Sequence, residues 1–241
     1  MEKDGQKLSQ ARESVLKSLK AKIIFGILGL IFIALTGTFF YFKITAPAPI
    51  PIQAAPKKLI NATEKIIQIK TASNISEDLK NALGEKISES AIQVFLLTEN
   101  VGNTNYFLTE DDFFMKSGIR PHIRLNQSVT GYDLGAIGGS GNEKNSAFLL
   151  FEISSFENAV AGALSWEKSM PKELIVIFPE LERSTQREFR DEVIKNQDVR
   201  VFESGAGKIF YTFFNKKIMI ITGSRKTLGD ILSRYEIFPP N

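Results

Sequence analysis

The stretch from Phe189 to Thr222 reads FRDEVIKNQDVRVFESGAGKIFYTFFNKKIMIIT and carries the clearest signal of strand structure in the folded part of the chain. It alternates runs rich in Val, Ile, Phe and Tyr with short groups that contain Asn, Gly or Lys, which is the pattern of strands joined by tight turns. We therefore expect four successive antiparallel strands, at 189–194, 199–203, 208–214 and 217–222, with turns at 196–198, 205–207 and 215–216. Ser224 follows at a helix-capping position, so a final helix is predicted to run to about Arg234.

Upstream of this meander, apolar runs alternate with helix signals. Strands are predicted at 64–70, 91–98, 132–138 and 145–153, and the glycine-rich loop between the last two indicates that they pair. A helix is predicted to begin at Ser76 and to end at about Leu83, because Gly84 follows it.

Two capping-box patterns mark further helices. Thr109 and Asp112 enclose the start of a short helix, and Ser154 with Glu157 encloses the start of a longer one that Pro171 is expected to stop. The run 174–178 fits either a strand or a short packed helix, since periodicity does not separate the two in so short a run.

The order of these elements indicates the fold class. We expect an α+β domain with a mainly antiparallel sheet and with helices packed on one face of that sheet.

A second informative stretch, Ile23–Phe42, reads IIFGILGLIFIALTGTFFYF and contains twenty residues without a charge. A helix of this length spans about 30 Å, the thickness of the hydrocarbon core of a bilayer, so we predict one N-terminal transmembrane helix. Six basic residues precede it within residues 1–22, which predicts a cytoplasmic N-terminus and a C-terminal domain outside the cytoplasmic membrane. The run is longer than the apolar core of a secretory signal peptide, so an uncleaved signal-anchor is favoured over a cleaved leader.

The chain is therefore expected to have four parts. These are a basic cytoplasmic tail at 1–22, the transmembrane helix at 23–42, a Pro-rich spacer at 43–58 and an extracytoplasmic α+β domain at 59–241. The spacer contains APAPIPIQAAP, whose four prolines favour extended polyproline II structure. The pattern leaves open whether residues 59–84 belong to the main domain.

Charge and cysteine content exclude several classes of function. The full chain has a net charge of +3, but from Lys57 onward it contains 23 basic and 24 acidic residues. The domain is close to neutral, which argues against nucleic acid as a partner. The chain contains no cysteine, and this excludes disulfides, cysteine nucleophiles and thiolate metal sites.

Three short features resemble catalytic or ligand-binding signatures, and each lacks a required element. His122 is the single histidine of the chain, so it cannot form a multi-histidine metal site. The sequence GGSG at Gly138–Gly141 lacks the last glycine of a nucleophile elbow, because Asn142 occupies that position. The sequence GAGK at Gly205–Lys208 lacks the first glycine of a P-loop and the Ser or Thr that follows the lysine.

An acidic group and three aromatic residues are weaker candidates. Glu110–Asp112 would suit a cation, but the helix dipole alone favours acids at the start of a helix. Trp166, Tyr132 and Tyr211 would suit a carbohydrate or peptide groove, but Trp166 lies beside core positions of a predicted helix, so packing is favoured. We therefore assign no catalytic, cofactor-binding or metal-binding residue from the sequence, and no cofactor.

A resemblance supports this architecture. The C-terminal stretch Phe189–Arg234, preceded by FFMKSGI and SSFENAVAGALSWEKSMPKEL, resembles an uncharacterised group of single-pass envelope proteins of small-genome, candidate-phylum (Patescibacteria-type) bacteria. The resemblance covers about residues 90–235. It implies a membrane-anchored envelope protein and carries no activity and no site residues.

Three functions compete at this point. The first is a non-enzymatic, membrane-anchored protein that binds an envelope protein through its outer domain, and it predicts an exposed apolar patch or an open sheet edge. The second is a module that binds cell-wall glycan or a small ligand, and it predicts a concave pocket lined by aromatic residues. The third is a carboxylate-dependent hydrolase, and it predicts two acids that converge in a cleft. The first is favoured.

Overall fold

A mixed nine-stranded sheet forms the centre of the computed structural model, which describes residues 55–69, 75–101, 104–141, 143–183, 188–205 and 207–237. The strands are β1 (Thr63–Ile69), β2 (Ile92–Val101), β3 (Thr104–Phe107), β4 (Val129–Ile137), β5 (Ser146–Ile153), β6 (Phe189–Ile194), β7 (Gln197–Glu203), β8 (Lys208–Phe214) and β9 (Ile218–Thr222). Their order across the sheet is β1-β2-β4-β5-β9-β8-β7-β6, and β3 pairs with the end of β2. The β1–β2 pair is parallel and every other pair is antiparallel.

The helices follow the strands in sequence. They are α1 (Ile75–Gly84), α2 (Glu110–Ser117), α3 (Ile123–Asn126), α4 (Phe156–Trp166), α5 (Met170–Glu173) and α6 (Arg225–Ile237), with short 3-10 turns at Leu174–Val176 and Pro179–Arg183. All described residues belong to one compact unit.

The predicted C-terminal meander is confirmed. Strands β6, β7, β8 and β9 pair in sequence order, and Lys195–Asn196 and Asn215–Lys216 form their tight turns with positive φ angles of 49–58°. The first turn lies one residue earlier than expected, because Gln197 and Asp198 already belong to β7. These are left-handed two-residue turns, whose twist matches that of the paired strands.

Helices cover both faces of the sheet, so the expectation that they lie on one face is wrong. One face packs against α1, α2 and α4 through side chains such as Leu79, Phe113 and Trp166. The other face packs against α6 and against Leu59 and Ile60, which precede β1. The central strand β9 is buried along its whole length, and its unbroken apolar run IMII is the pattern of a strand that is covered on both faces.

Of the two predicted capping boxes, the one at α2 is confirmed and the one at α4 is not. At α2 the Thr109 hydroxyl accepts from the Asp112 amide at 3.2 Å, the Asp112 carboxylate accepts from the Thr109 amide, and Gly118 ends the helix at φ 73°. At α4 the box is wrong: the helix begins at Phe156, and the Ser154 hydroxyl instead donates to the Ser128 carbonyl at 3.0 Å. A tertiary hydrogen bond has replaced the local one.

Pro171 does not end α4, which stops five residues before it at Trp166. It occupies the first turn of α5, where a proline is tolerated because its missing amide has no intrahelical partner. The ambiguous run 174–178 is helical, since it contains a 3-10 turn and lacks any strand pairing.

Residues 59–84 belong to the main domain. Strand β1 pairs with β2 over Thr63–Ile69, and α1 packs on the same sheet. Strand β3 and helix α3 were not anticipated, because each is only four residues long and too short for a periodic signal.

The predicted tail and transmembrane helix, residues 1–42, lie outside the described residues, as does most of the spacer. Within the described part of the chain, no helix has the length and hydropathy needed to cross a membrane.

Candidate functional site

The two edge strands of the sheet differ in charge. Strand β6 carries three consecutive charged residues, Arg190, Asp191 and Glu192. Arg190 contacts Glu192 at 2.9 Å and Glu203 at 3.0 Å, and Glu192 also pairs with Arg225 of α6. Charged side chains along an edge oppose the addition of another strand, so the β6 edge is protected.

Strand β1, at the opposite edge, pairs with β2 and with no other strand among the described residues. Its charges lie in its first half, where Glu64 pairs with Lys58 at 3.0 Å and Lys65 pairs with Glu85. The second half reads IIQI and is uncharged, and the side chain of Ile66 is 63% exposed. Within the described part of the chain, this edge is therefore open to an added strand over Ile66–Ile69.

The segment before β1, residues 57–62, is irregular and will be called the strap. The amides of Leu59 and Ile60 donate to Oδ2 of Asp133 on β4, at 2.8 and 3.2 Å. At the outer end of the strap, Lys57 pairs with Glu152 of β5 at 3.0 Å. The strap is thus held to two strands of the sheet, on the face that α6 covers.

The carboxyl group of Asp133 lies in an apolar environment and is 3% exposed. Burial raises its pKa to about 6, although the Leu59 and Ile60 amides act in the opposite direction. The hydroxyl of Tyr235 on α6 is buried in the same core and has no hydrogen-bond partner among the described residues. Burial and the charge of Asp133 raise the pKa of Tyr235, so its hydroxyl stays neutral.

The aromatic candidates are part of the core. Trp166 is 1% exposed and donates from Nε1 to Glu173 at 2.8 Å, and Tyr211 is 2% exposed and donates to Glu167 at 2.7 Å. Tyr132 stacks on Phe113 with ring centroids 4.5 Å apart. These three residues are not brought together in a groove.

Glu167 also joins α4 to the sheet. Arg200 of β7 donates to its two carboxylate oxygens at 2.8 Å each, and the same guanidinium contacts Asp191 at 2.8 Å. The hydrogen bonds that Arg200 donates to Glu167 raise the pKa of Arg200, and burial raises the pKa of Tyr211. This network ties the β6 end of the sheet to α4.

Contacts that stabilise the fold account for His122, for Asp112 of the acidic group and for Gly138 of the GGSG motif. The Nδ1 atom of His122 caps α3 by accepting from the Arg124 amide at 3.3 Å. Asp112 belongs to the cap of α2, and no group of three metal-ligating residues is present among the described residues. In the GGSG motif, Gly138 packs so closely on Ser88 that an added Cβ would lie 2.1 Å from its carbonyl oxygen.

A shallow groove of about 240 Å³ lies between the GGSG loop and the start of α6. It is lined by Gly138, Gly139, Lys144, Ser146, Lys226 and Thr227. The Thr227 hydroxyl donates to Ser146 Oγ at 2.6 Å and lies 2.7 Å from Ser224 Oγ, while Lys226 pairs with Asp230 at 2.9 Å. The groove has no aromatic lining, and its hydroxyl groups satisfy one another.

The architecture defines the class: an α+β domain with a mixed, mainly antiparallel sheet that is covered on both faces. Comparison of the chain with protein-family models, with curated proteins and with solved structures finds no match.

The sequence contains a signal for Asp133, although this residue belongs to none of the motifs described above. It is the one acid in the otherwise uncharged strand YDLGAI, and an acid in a buried strand requires a partner. The partner itself was not predictable, because Leu59 lies 74 residues away in the chain.

Proposed function

We propose that this protein is a membrane-anchored, non-enzymatic component of a bacterial cell envelope, whose domain binds another envelope protein outside the cytoplasmic membrane. The uncharged run Ile23–Phe42 supports the anchor, and the excess of basic residues before it supports the orientation. The resemblance of residues 90–235 to single-pass envelope proteins supports the same architecture.

The observation that carries the binding role is the open β1 edge. An extended segment of the partner would add to β1 as a further strand, with main-chain hydrogen bonds for affinity and side-chain contacts for selectivity. The uncharged half of β1 and the exposed Ile66 suit this mode, and the charged β6 edge does not.

The alternative role in glycan or small-ligand binding has less support. The aromatic residues that it requires, Trp166 and Tyr132, are hydrogen-bonded within the domain. The alternative role as a carboxylate hydrolase requires two converging acids, but Glu167 is held by Arg200 and Glu173 by Trp166.

Photocrosslinking of the full-length protein in its native membrane tests the proposal. A benzophenone side chain is placed at Gln68, an exposed residue of β1, and in a second variant at Val193, which is 68% exposed on β6. We expect a defined protein adduct from position 68 and none from position 193.

The matched substitutions Ile66→Lys and Val193→Lys complete the test, because both place a charge on an exposed β-branched position of an edge strand. Ile66→Lys should abolish the adduct from position 68, and Val193→Lys should leave it unchanged. An adduct that persists in the Ile66→Lys protein would remove β1 from the binding surface.

A further inference from the structure

The strap, which leads from the predicted spacer into β1, is held by a buried carboxyl group, that of Asp133. We propose that the strap is a pH-responsive clasp, which holds the start of the domain against the sheet more tightly in mildly acidic than in neutral solution. The inference does not depend on the proposed partner.

The geometry makes the strap a separable element. It has no helix or strand of its own. It is held by the ion pairs of Lys57 with Glu152 and of Lys58 with Glu64, by the two amide hydrogen bonds to Asp133, and by the packing of Leu59 and Ile60. Those two side chains are 4% and 3% exposed and pack in the core under α6. Opening the strap would expose them and would bring water to Asp133.

Several charged or titratable groups face this carboxyl group. Glu64 on β1 raises its pKa and Lys58 on the strap lowers it, and these two residues form an ion pair with each other. Tyr235 faces it from α6 with a neutral hydroxyl, and Glu152 on β5 is paired with Lys57. Burial has the largest effect on the pKa of Asp133, and it raises that pKa.

The direction of the pH effect on strap closure follows from the pKa of Asp133 in the closed and open states. With the strap closed, the pKa of Asp133 is about 6. With the strap open, the carboxyl group meets water and titrates near its ordinary value of about 4. Closing the strap therefore takes up a proton between these values, so acid favours the closed state. Between pH 7.5 and pH 5 the closing equilibrium should shift by about tenfold.

Amide hydrogen exchange measures this shift directly in the full-length protein in detergent or nanodiscs. Protection of the Leu59 and Ile60 amides, corrected for the intrinsic pH dependence of exchange, should be about tenfold greater at pH 5 than at pH 7.5. Protection that is equal at the two pH values, or lower at pH 5, would overturn the proposal without any variant.

The substitution Asp133→Asn tests the assignment to this carboxyl group. Asparagine keeps an acceptor oxygen for the two amides but does not titrate, so the tenfold pH effect should disappear. Asp198→Asn, at an exposed position of β7, is the matched control and should keep the effect. A pH effect that persists in the Asp133→Asn protein would overturn the proposal. Slow amide exchange at Ile220 and Ile221 of β9 verifies that each variant is folded. If Asp133→Asn does not fold, the ratio of Leu59 and Ile60 protection at pH 5 to that at pH 7.5 in the wild type decides the question.

Discussion

The β6 end and the β1 end of the sheet are held by different kinds of contact. At the β6 end, Arg200 meets Glu167 and Asp191, so opposite charges compensate one another, and charged residues line the edge. At the β1 end, the strap is held to the carboxyl group of Asp133, which lies in an apolar core and accepts hydrogen bonds from the main-chain amides of Leu59 and Ile60. The β6 end therefore has an edge of paired charges, whereas the β1 end has a partly uncharged edge and a buried carboxyl group whose pKa is raised.

The largest expected effect is at the β6 end. Arg200→Ala should lower the free energy of unfolding by about 3 kcal/mol, because it leaves the mostly buried Glu167 carboxylate without its cation. Urea unfolding of the domain measures the loss.

The control removes Asp191, the other carboxylate that contacts the Arg200 guanidinium. Asp191 is 85% exposed, so Asp191→Ala should change the stability by less than about 0.5 kcal/mol. Equal losses in the two variants would contradict the view that the buried partner stabilises this end.

The next prediction compares two buried tyrosines. Tyr211→Phe should lower the free energy of unfolding by about 2 kcal/mol, because the Tyr211 hydroxyl donates to the Glu167 carboxylate. Tyr235→Phe should cost nothing and can stabilise the domain by about 1 kcal/mol, because the Tyr235 hydroxyl has no hydrogen-bond partner among the described residues. Thermal unfolding of both variants checks the difference, and the reverse ranking would refute the assigned contacts.

A smaller effect concerns pH and global stability. The folded-state pKa of Asp133 is raised, so its contribution to stability is fully present below about pH 4 and is lost as the pH rises through about 6. The stability of the wild type relative to Asp133→Asn should therefore be about 1.4 kcal/mol greater at pH 5 than at pH 7.5. Urea titrations of both proteins at the two pH values measure this difference, and other titrating groups cancel because both proteins share them. An unchanged difference would mean that Asp133 does not titrate in this range.

The smallest expected effect on stability is at the two edges. Ile66→Lys and Val193→Lys should each change the free energy of unfolding by less than about 0.5 kcal/mol, because both side chains are mainly exposed. Denaturant midpoints check this expectation. If Ile66→Lys were strongly destabilising, loss of the β1 adduct would report unfolding and not the edge.

Local signals were sufficient for much of the fold. The alternation of strand residues and turn residues in 189–222 predicted the meander, and the capping box at Thr109 predicted the start of α2. Both depend on contacts between residues that are close in sequence, so the sequence contains the information directly. The failed capping box at Ser154 shows the limit, because the distant Ser128 carbonyl competed for the same hydroxyl.

The longer strands and helices of the domain, its near-neutral net charge and the uncharged run that predicts the anchor can all be read from the amino-acid sequence. How these groups of strands join could be seen only in the folded domain: β1 lies parallel to β2, β9 lies beside β5, and α6 covers the face opposite α4. Folding also left β1 with one neighbouring strand among the described residues, and it brought the strap to Asp133. These features depend on contacts between residues far apart in the chain, and burial from both faces, not local propensity, selects among the alternatives.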